Sequence, residues 1–393
     1  MKNPQRTKSS LPRRRFIALA GGGVVLAVLP SAGYASGYPA AAIQGWQPVA
    51  DNVEIRRWML AHALLAPNPH NRQPWVADLR REGEITLICD GERLLPQTDP
   101  FGRQIVVGCG AFIELAVIAA AERGYRLRVE PFPAGEPGLR ELPGNRAVAR
   151  LLVERDVALP KDPLFAQIRR RHTNKSAFDN TRAVPVPVWT GFQGVASDNG
   201  LLAGGITDAA PVSQVRRLTR ESYETECITD RTWLESARLM RIGPDEIEKN
   251  RDGISLMGSM PRLLSAVGMF DRFEVPKRGS TSYQRVMDRW AAFETGSGYL
   301  WMASKGNSRR LQLAAGRAYV RAHLQATAAG VDMHPLSQAL QEFVEVKPQY
   351  DALHGLLGFD PATTTVQMLA RVGYGTSPAG PSPRRELGDL IRA

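Results

Sequence analysis

Between Ile105 and Arg123 apolar residues occupy nearly every face of a helical repeat, and Gly108, Gly110 and several alanines would let neighbours come close. A helix that is apolar all round has to be enclosed by the rest of the protein, so this stretch predicts a central buried helix, ended by Gly124. A second stretch, capped by Ser308 and running to Ala329, lies over the first without gaps. Gly110 falls on Gly316, Ala116 on Ala322, Ala120 on Ala326 and Gly124 on Gly330. Alanine and glycine are common enough that four matches weigh little alone. The arrangement still suggests an internal duplication built around two such helices.

The remaining pattern is a mixture of helices and short strands. Asp51 can cap a helix, with Glu54 three residues on, that runs to about Leu65. Trp75 to Leu79 and Ile85 to Cys89, separated by Arg81-Glu82-Gly83, read as a hairpin, and Tyr125 to Val129 alternates like a half-buried strand. Pro131 to Gly144 is a Pro- and Gly-rich connector. A short helix near Asp162 ends in Arg169, Arg170 and Arg171, and a long amphipathic helix is expected from about Val212 to Met240. Tyr299 to Ala303 and Val366 to Val372 are later strands. Between Ile242 and Arg285 the periodicity fails, with apolar runs at Ile254 to Met257 and Leu263 to Phe270. This segment is either a covering lid or a helical excursion on the surface.

The first thirty-five residues stand apart. Lys2, Arg6, Lys8, Arg13, Arg14 and Arg15 come with no acids, and an uncharged Gly-, Ala-, Val- and Leu-rich run follows from Phe16 to Pro30. This is the form of an export signal, and Arg13-Arg14-Arg15-Phe16-Ile17 is similar to a twin-arginine motif, so a periplasmic or otherwise exported protein is expected. Without this segment the formal charge falls from +11 to about +5. Such an excess calls for no nucleic acid, and no membrane contact beyond the signal segment. Cys89, Cys109 and Cys227 are odd in number and widely spaced, and the six histidines show no paired metal spacing. Neither a disulfide framework nor a metal site is expected, and the cysteines read as small buried hydrophobes.

Two stretches carry the chemistry. Arg171-His172-Thr173-Asn174-Lys175-Ser176-Ala177-Phe178-Asp179 gathers cations, hydroxyls and an amide near a helix end, which is what a phosphate monoester needs. Ala66-Pro67-Asn68-Pro69-His70-Asn71-Arg72-Gln73-Pro74-Trp75 is a rigid turn carrying amide donors and acceptors, suited to the edge of a flat heteroaromatic ring.

Together with Gly330-Val331-Asp332-Met333-His334-Pro335-Leu336-Ser337-Gln338 and the basic tail Ser382-Pro383-Arg384-Arg385, these motifs resemble, in order, those of the nitroreductase family of FMN proteins. The resemblance is nearest to its Acg-type branch, in which two nitroreductase-like halves are fused. It implies an α+β fold with a mostly antiparallel sheet, a first half over 46–160 and a second over 161–393, with the possible lid at 242–285. It also implies an intrachain pseudo-dimer with one FMN, because Ile55-Arg56-Arg57-Trp58-Met59 lacks the hydroxyl and second cation of a mirror phosphate motif. Arg171, His172, Thr173, Asn174, Lys175, Arg384 and Arg385 would serve the phosphate. Pro67, Asn68, Pro69, Asn71, Gln73, Ser337 and Gln338 would serve the ribityl chain and ring. The flavin carries the redox chemistry, so no catalytic side chain is singled out. The implied activity passes electrons from a small-molecule donor to a nitro, quinone or similar acceptor. The alternative is a protein that holds flavin without turnover.

Overall fold

The computed structural model describes residues 37–258 and 271–392. The export segment and the run Leu263 to Phe270 lie outside the described residues.

The first part of the chain builds helix α1 (Ile55–Ala63), strands β1 (Trp75–Asp78) and β2 (Glu84–Cys89), helix α2 (Arg103–Glu122) and strands β3 (Tyr125–Pro131) and β4 (Ala147–Arg155). The second builds α3 (Val186–Asp198), β5 (Leu202–Ile206), then α4 (Ala209–Ile228), α5 (Asp230–Leu239), β6 (Met240–Ile242), α6 (Gly243–Lys249), β7 (Ile254–Leu256) and α7 (Thr281–Trp290). It continues with β8 (Gly298–Lys305), α8 (Arg309–Ala328), β9 (Asp332–Pro335), α9 (Lys347–Leu356) and β10 (Thr364–Gly373), and the chain closes with the two-residue β11 (Ile391–Arg392). The α+β class expected from the sequence is the class observed.

Among the described residues β6 and β7 pair in parallel as a two-stranded sheet, and two larger sheets have the orders β11-β1-β2-β4-β3 and β5-β8-β10-β9. With β11 set aside, each is a four-stranded antiparallel sheet whose third and fourth strands in sequence have exchanged places. A helix precedes the first strand of each, and a 20-residue helix joins the second to the third. The hairpin link of the first sheet, 79–83, corresponds to 207–297 in the second. The strand β11 pairs in parallel with β1, setting Ala77 opposite Ile391, so the C-terminus is stitched to the first sheet.

The helices α2 and α8 pack against each other at the centre. Of the α2 residues only Gln104, Val117 and Glu122 are not buried. The approach is so close that a Cβ on Gly110 would collide with the carbonyl oxygen of Leu313, and one on Gly316 with that of Val107. Only glycine fits either position. Leu313 and Val107 are themselves equivalent in the gap-free alignment of the two helices, so the contact is reciprocal. Glu114, buried on α2, accepts from Arg317 and Arg321 of α8 at 2.6 and 2.5 Å, which satisfies a carboxylate that would otherwise be costly in the core.

Several local expectations change. The cap of α1 is Glu54, whose carboxylate accepts from the Arg57 N–H at 3.1 Å; Asp51 bonds Arg123 instead. The stretch Val212 to Met240 is not one helix: Thr229 adopts extended backbone (φ −85°, ψ 115°) and divides α4 from α5. Strands β4 and β5 and helix α3 were not foreseen. The three cysteines are buried, as expected.

Candidate active site

The turn that leads into β1 holds three of the five non-glycine residues with positive φ among the described residues. His70, Asn71 and Gln73 have φ of 48°, 50° and 50°, a region that non-glycine residues enter at a cost and that marks functional sites. The conformation is held by its own amides. Asn68 Oδ1 accepts from the Gln73 N–H at 2.7 Å, and Asn68 Nδ2 donates to Ala66 O at 3.1 Å.

This turn meets the 171–176 stretch and the tail 377–384 at a cavity of about 400 Å³, which is also lined by the first half of α2 and by Ser337 and Gln338. That volume lies in the range of small-molecule and cofactor sites. Of the fourteen residues singled out from the sequence, twelve line it. The exceptions are Gln73 and Arg385, which sit behind the wall and bond each other: Gln73 Oε1 accepts from the Arg385 N–H at 2.8 Å, while Gln73 Nε2 donates to Arg251 O at 2.7 Å. They clamp the tail and residue 251 to the turn rather than reaching the cavity. Asn174 is also committed inward, its Nδ2 donating to Ser377 O at 2.9 Å and its Oδ1 accepting from the Ser176 N–H at 3.0 Å.

The charge at this cavity is one-sided. Arg171 and Arg384 are almost fully buried, and both donate to the Leu65 carbonyl, at 2.8 and 3.1 Å. Arg384 also donates to Asn71 Oδ1 at 2.8 Å. Both guanidinium groups flank Trp46, 6.0 and 5.2 Å from the ring centroid. No carboxylate pairs with either among the described residues, and the Nε of each is buried without a partner, as is His172 Nδ1. Burial pulls Arg171 down to about 10. Burial, with Arg171 alongside, pulls Arg384 down to about 9, so both remain charged at neutral pH. His172, desolvated and beside the two arginines, falls to about 4 and is neutral there. Lys175 shows its surface to the cavity, but the protein around it and Arg289 draw its pKa to about 8. Two unpaired guanidinium groups held together out of water, with the exposed Lys175 at the same cavity, form a strong anion site.

A buried imidazole fixes Arg171. His323 Nδ1 lies 3.4 Å from the Arg171 guanidinium while its Nε2 lies 3.2 Å from His172 O, so the ring is the Nε2–H tautomer. Burial drives its pKa far down, and it acts as a neutral acceptor for the arginine.

Ser337 and Gln338 follow β9 at the cavity wall. Among the described residues no backbone bond engages the N–H of either, although Leu340 N–H donates to Ser337 O at 3.0 Å.

Residues that the sequence reading passed over complete the walls: Tyr38, Trp46, Tyr223, Glu226, Trp233, Ser236, Arg289, Trp290 and Phe293. One sequence signal did exist. Tyr223, Glu226 and Cys227 are spaced to share one face of a helix. The segment after 242 contributes Gly253, Ile254 and Ser255, with Gly253 N–H donating to Asn71 O at 3.2 Å. Asp252 binds three guanidinium groups, Arg72 at 3.0, Arg93 at 2.8 and Arg241 at 2.8 Å, and locks this segment onto the turn.

With that geometry in place, similarity to known proteins becomes informative. No family model matches the sequence. The chain is 27% identical over 371 residues to a Mycobacterium tuberculosis protein named "Putative NAD(P)H nitroreductase Rv3131", covering 89% of this chain and 96% of that one. Along most of its length the chain is therefore similar to a protein named as a nitroreductase. A second relative from that organism, "Putative NAD(P)H nitroreductase acg", is 38% identical over 71 residues, 18% of this chain and 21% of its own. Among solved structures, the FMN-dependent nitroreductase NfnB of Mycobacterium smegmatis, in complex with NADPH, aligns with 58% of this chain and 96% of its own at 16% identity. Its TM-score of 0.38 is too low to define a shared fold by itself.

Proposed function

We propose that the protein is an FMN-dependent oxidoreductase of the nitroreductase type, with two fused half-repeats around one flavin site. The observation that carries this reading is the pair of buried guanidinium groups, Arg171 and Arg384, unmatched by any carboxylate among the described residues, each with an unpartnered buried Nε and both lining the same cavity as Thr173. A dianionic phosphate monoester supplies the missing charge and acceptors. Arg171, Arg384, Thr173 and Lys175 would hold that phosphate. Asn68 and Asn71 each keep an amide hydrogen for the ribityl chain, and the free N–H groups of Ser337 and Gln338 suit the polar edge of the ring. Flavin, when bound, supplies hydride transfer; the protein supplies binding, orientation and a desolvated wall.

Homologues named as NAD(P)H nitroreductases make a reduced nicotinamide the first donor class to test, and a nitro compound or quinone the acceptor class. The test is anaerobic. Protein reconstituted with FMN is titrated with NADH, then NADPH, then dithionite, while the oxidised flavin band at about 450 nm is followed. Bleaching by a nicotinamide and return of the band with a quinone or nitroarene support turnover. Bleaching by dithionite alone would favour the flavin-holding alternative, and failure to take up FMN would overturn the reading.

We also propose export through the twin-arginine route, on the basic and apolar N-terminal sequence. Replacing Arg13 and Arg14 by lysine should leave the protein in the cytoplasm on cell fractionation; continued export by that variant would contradict it.

A further inference from the structure

The end of the cavity bounded by α4, α5 and the residues after α7 is chemically unlike the cationic end. Tyr223 stacks on Trp290 with centroids 4.3 Å apart and planes 18° from parallel, and Phe293 meets the Trp290 ring edge-on at 5.1 Å. Trp233 and Met240 add to this apolar wall. Within it stands one carboxylate. Glu226 is 6% exposed, accepts from Gln341 Nε2 at 3.0 Å and, among the described residues, has no guanidinium or ammonium partner.

Facing it is His70, from the strained turn. His70 Nε2 lies 3.1 Å from Ser236 Oγ, whose hydroxyl donates to Glu226 Oε1 at 3.5 Å, and Nε2 itself is 3.8 Å from that carboxylate oxygen. Because the serine hydroxyl is directed to the carboxylate, its oxygen accepts from His70, which places a hydrogen on Nε2. Nδ1 is left with no partner among the described residues, on a residue that lines the cavity. An imidazole oriented by a second group and backed by a buried carboxylate is the arrangement of a proton-transfer residue. The left-handed backbone at His70 (φ 48°) is the strain that turns the ring toward this end.

We infer that this aromatic end is the acceptor subsite, taking a flat oxidant such as a quinone, and that His70 is its proton donor, positioned by Ser236 and Glu226. The inference rests on the flavin reading above. The balance is complete for a quinone. A hydride equivalent from the reduced cofactor and one proton from His70 Nδ1 convert quinone to hydroquinone, the cofactor is oxidised, and His70 regains its proton from water. The Glu226 carboxylate accepts from Ser236, which in turn orients the ring.

The test separates proton delivery from electron transfer. Protein loaded with FMN and reduced with stoichiometric dithionite is mixed anaerobically, in stopped flow, with p-benzoquinone or with ferricyanide, which takes single electrons and no proton. His70→Asn suits the left-handed position, since asparagine tolerates it. It should retain bound FMN and its visible spectrum, slow reoxidation by p-benzoquinone roughly 100-fold, and show a solvent deuterium isotope effect on that step at least as large as the wild type's, because water must then deliver the proton. Its ferricyanide rate should equal that of the wild type. Glu226→Gln, which leaves the turn untouched, should slow the quinone step in the same selective way, and it decides the matter if His70→Asn does not fold. Wild-type quinone rates in either folded variant, or equal slowing with both oxidants, would overturn the inference. Failure of the wild type to bind FMN would instead remove the flavin reading on which it rests.

Discussion

The two larger sheets of this protein share a strand order and a central helix, yet among the described residues their connections contribute unequally to the cationic cavity. In the first part the link between α1 and β1 is 64–74, long enough to fold the strained turn that carries Asn68, His70 and Asn71. The corresponding link between α3 and β5 is 199–201. Three residues join the elements and can do nothing else. The cations differ in the same way. Arg56, at the start of α1, is consumed by the carbonyls of Leu79, Arg81 and Glu84 and by Glu54, whereas Arg171 and Arg384 keep unpartnered nitrogens beside the cavity. Equal scaffolds therefore host unequal chemistry, because sites reside in connections while the core fixes only where those connections meet.

The comparison can be broken most forcefully at the cationic end. Replacing Arg171 and Arg384 together by methionine should reduce FMN affinity by about three orders of magnitude or more, since each charge-assisted bond contributes roughly 1.5–3 kcal/mol; fluorescence quenching of FMN on titration with protein reads this directly. The core comes next. Gly110→Ala and Gly316→Ala each push a methyl into a carbonyl of the facing helix, and each should cost about 3 kcal/mol, seen as a lowered denaturant midpoint. The reciprocal contact predicts similar losses for the two, so a large loss for one and none for the other would break the equivalence of the helices.

A smaller effect follows from Lys175. Its pKa is drawn down to about 8, and an ammonium favours a bound anion, so the cationic form aids FMN below that pH and is lost as pH rises through it. FMN affinity should fall by roughly tenfold between pH 7 and pH 9, and Lys175→Met should flatten that slope at the weaker level. The smallest expected effect is at the unused mirror position. Arg56→Ala should cost about 1 kcal/mol of stability through its lost carbonyl bonds and leave FMN affinity unchanged, measured by thermal melting and the same quenching titration.

Much of this was legible in the sequence for identifiable reasons. An all-apolar run such as Ile105 to Arg123 admits one placement, and Ser308 sits where its hydroxyl caps α8, accepting from the Leu311 N–H at 3.3 Å. The site motifs were legible because cations, small hydroxyls and Asn in a Pro-bearing turn have few other uses in combination. What stayed hidden depends on tertiary context. The division at Thr229 is a backbone choice made by packing, since the residues on either side keep a helical period. Gln73 looks like a ring-edge donor until the tail arrives to occupy it. Glu226 gives no sign of its role until α5 brings Ser236 and the turn brings His70, and those come from positions 10 and 156 residues away.

The claim that two like scaffolds share a single site is tested most directly by counting flavin. Protein saturated with FMN, freed of excess by gel filtration and denatured to release the cofactor, should give one FMN per chain. Two per chain would contradict the loss of the mirror site, and none would contradict the site itself.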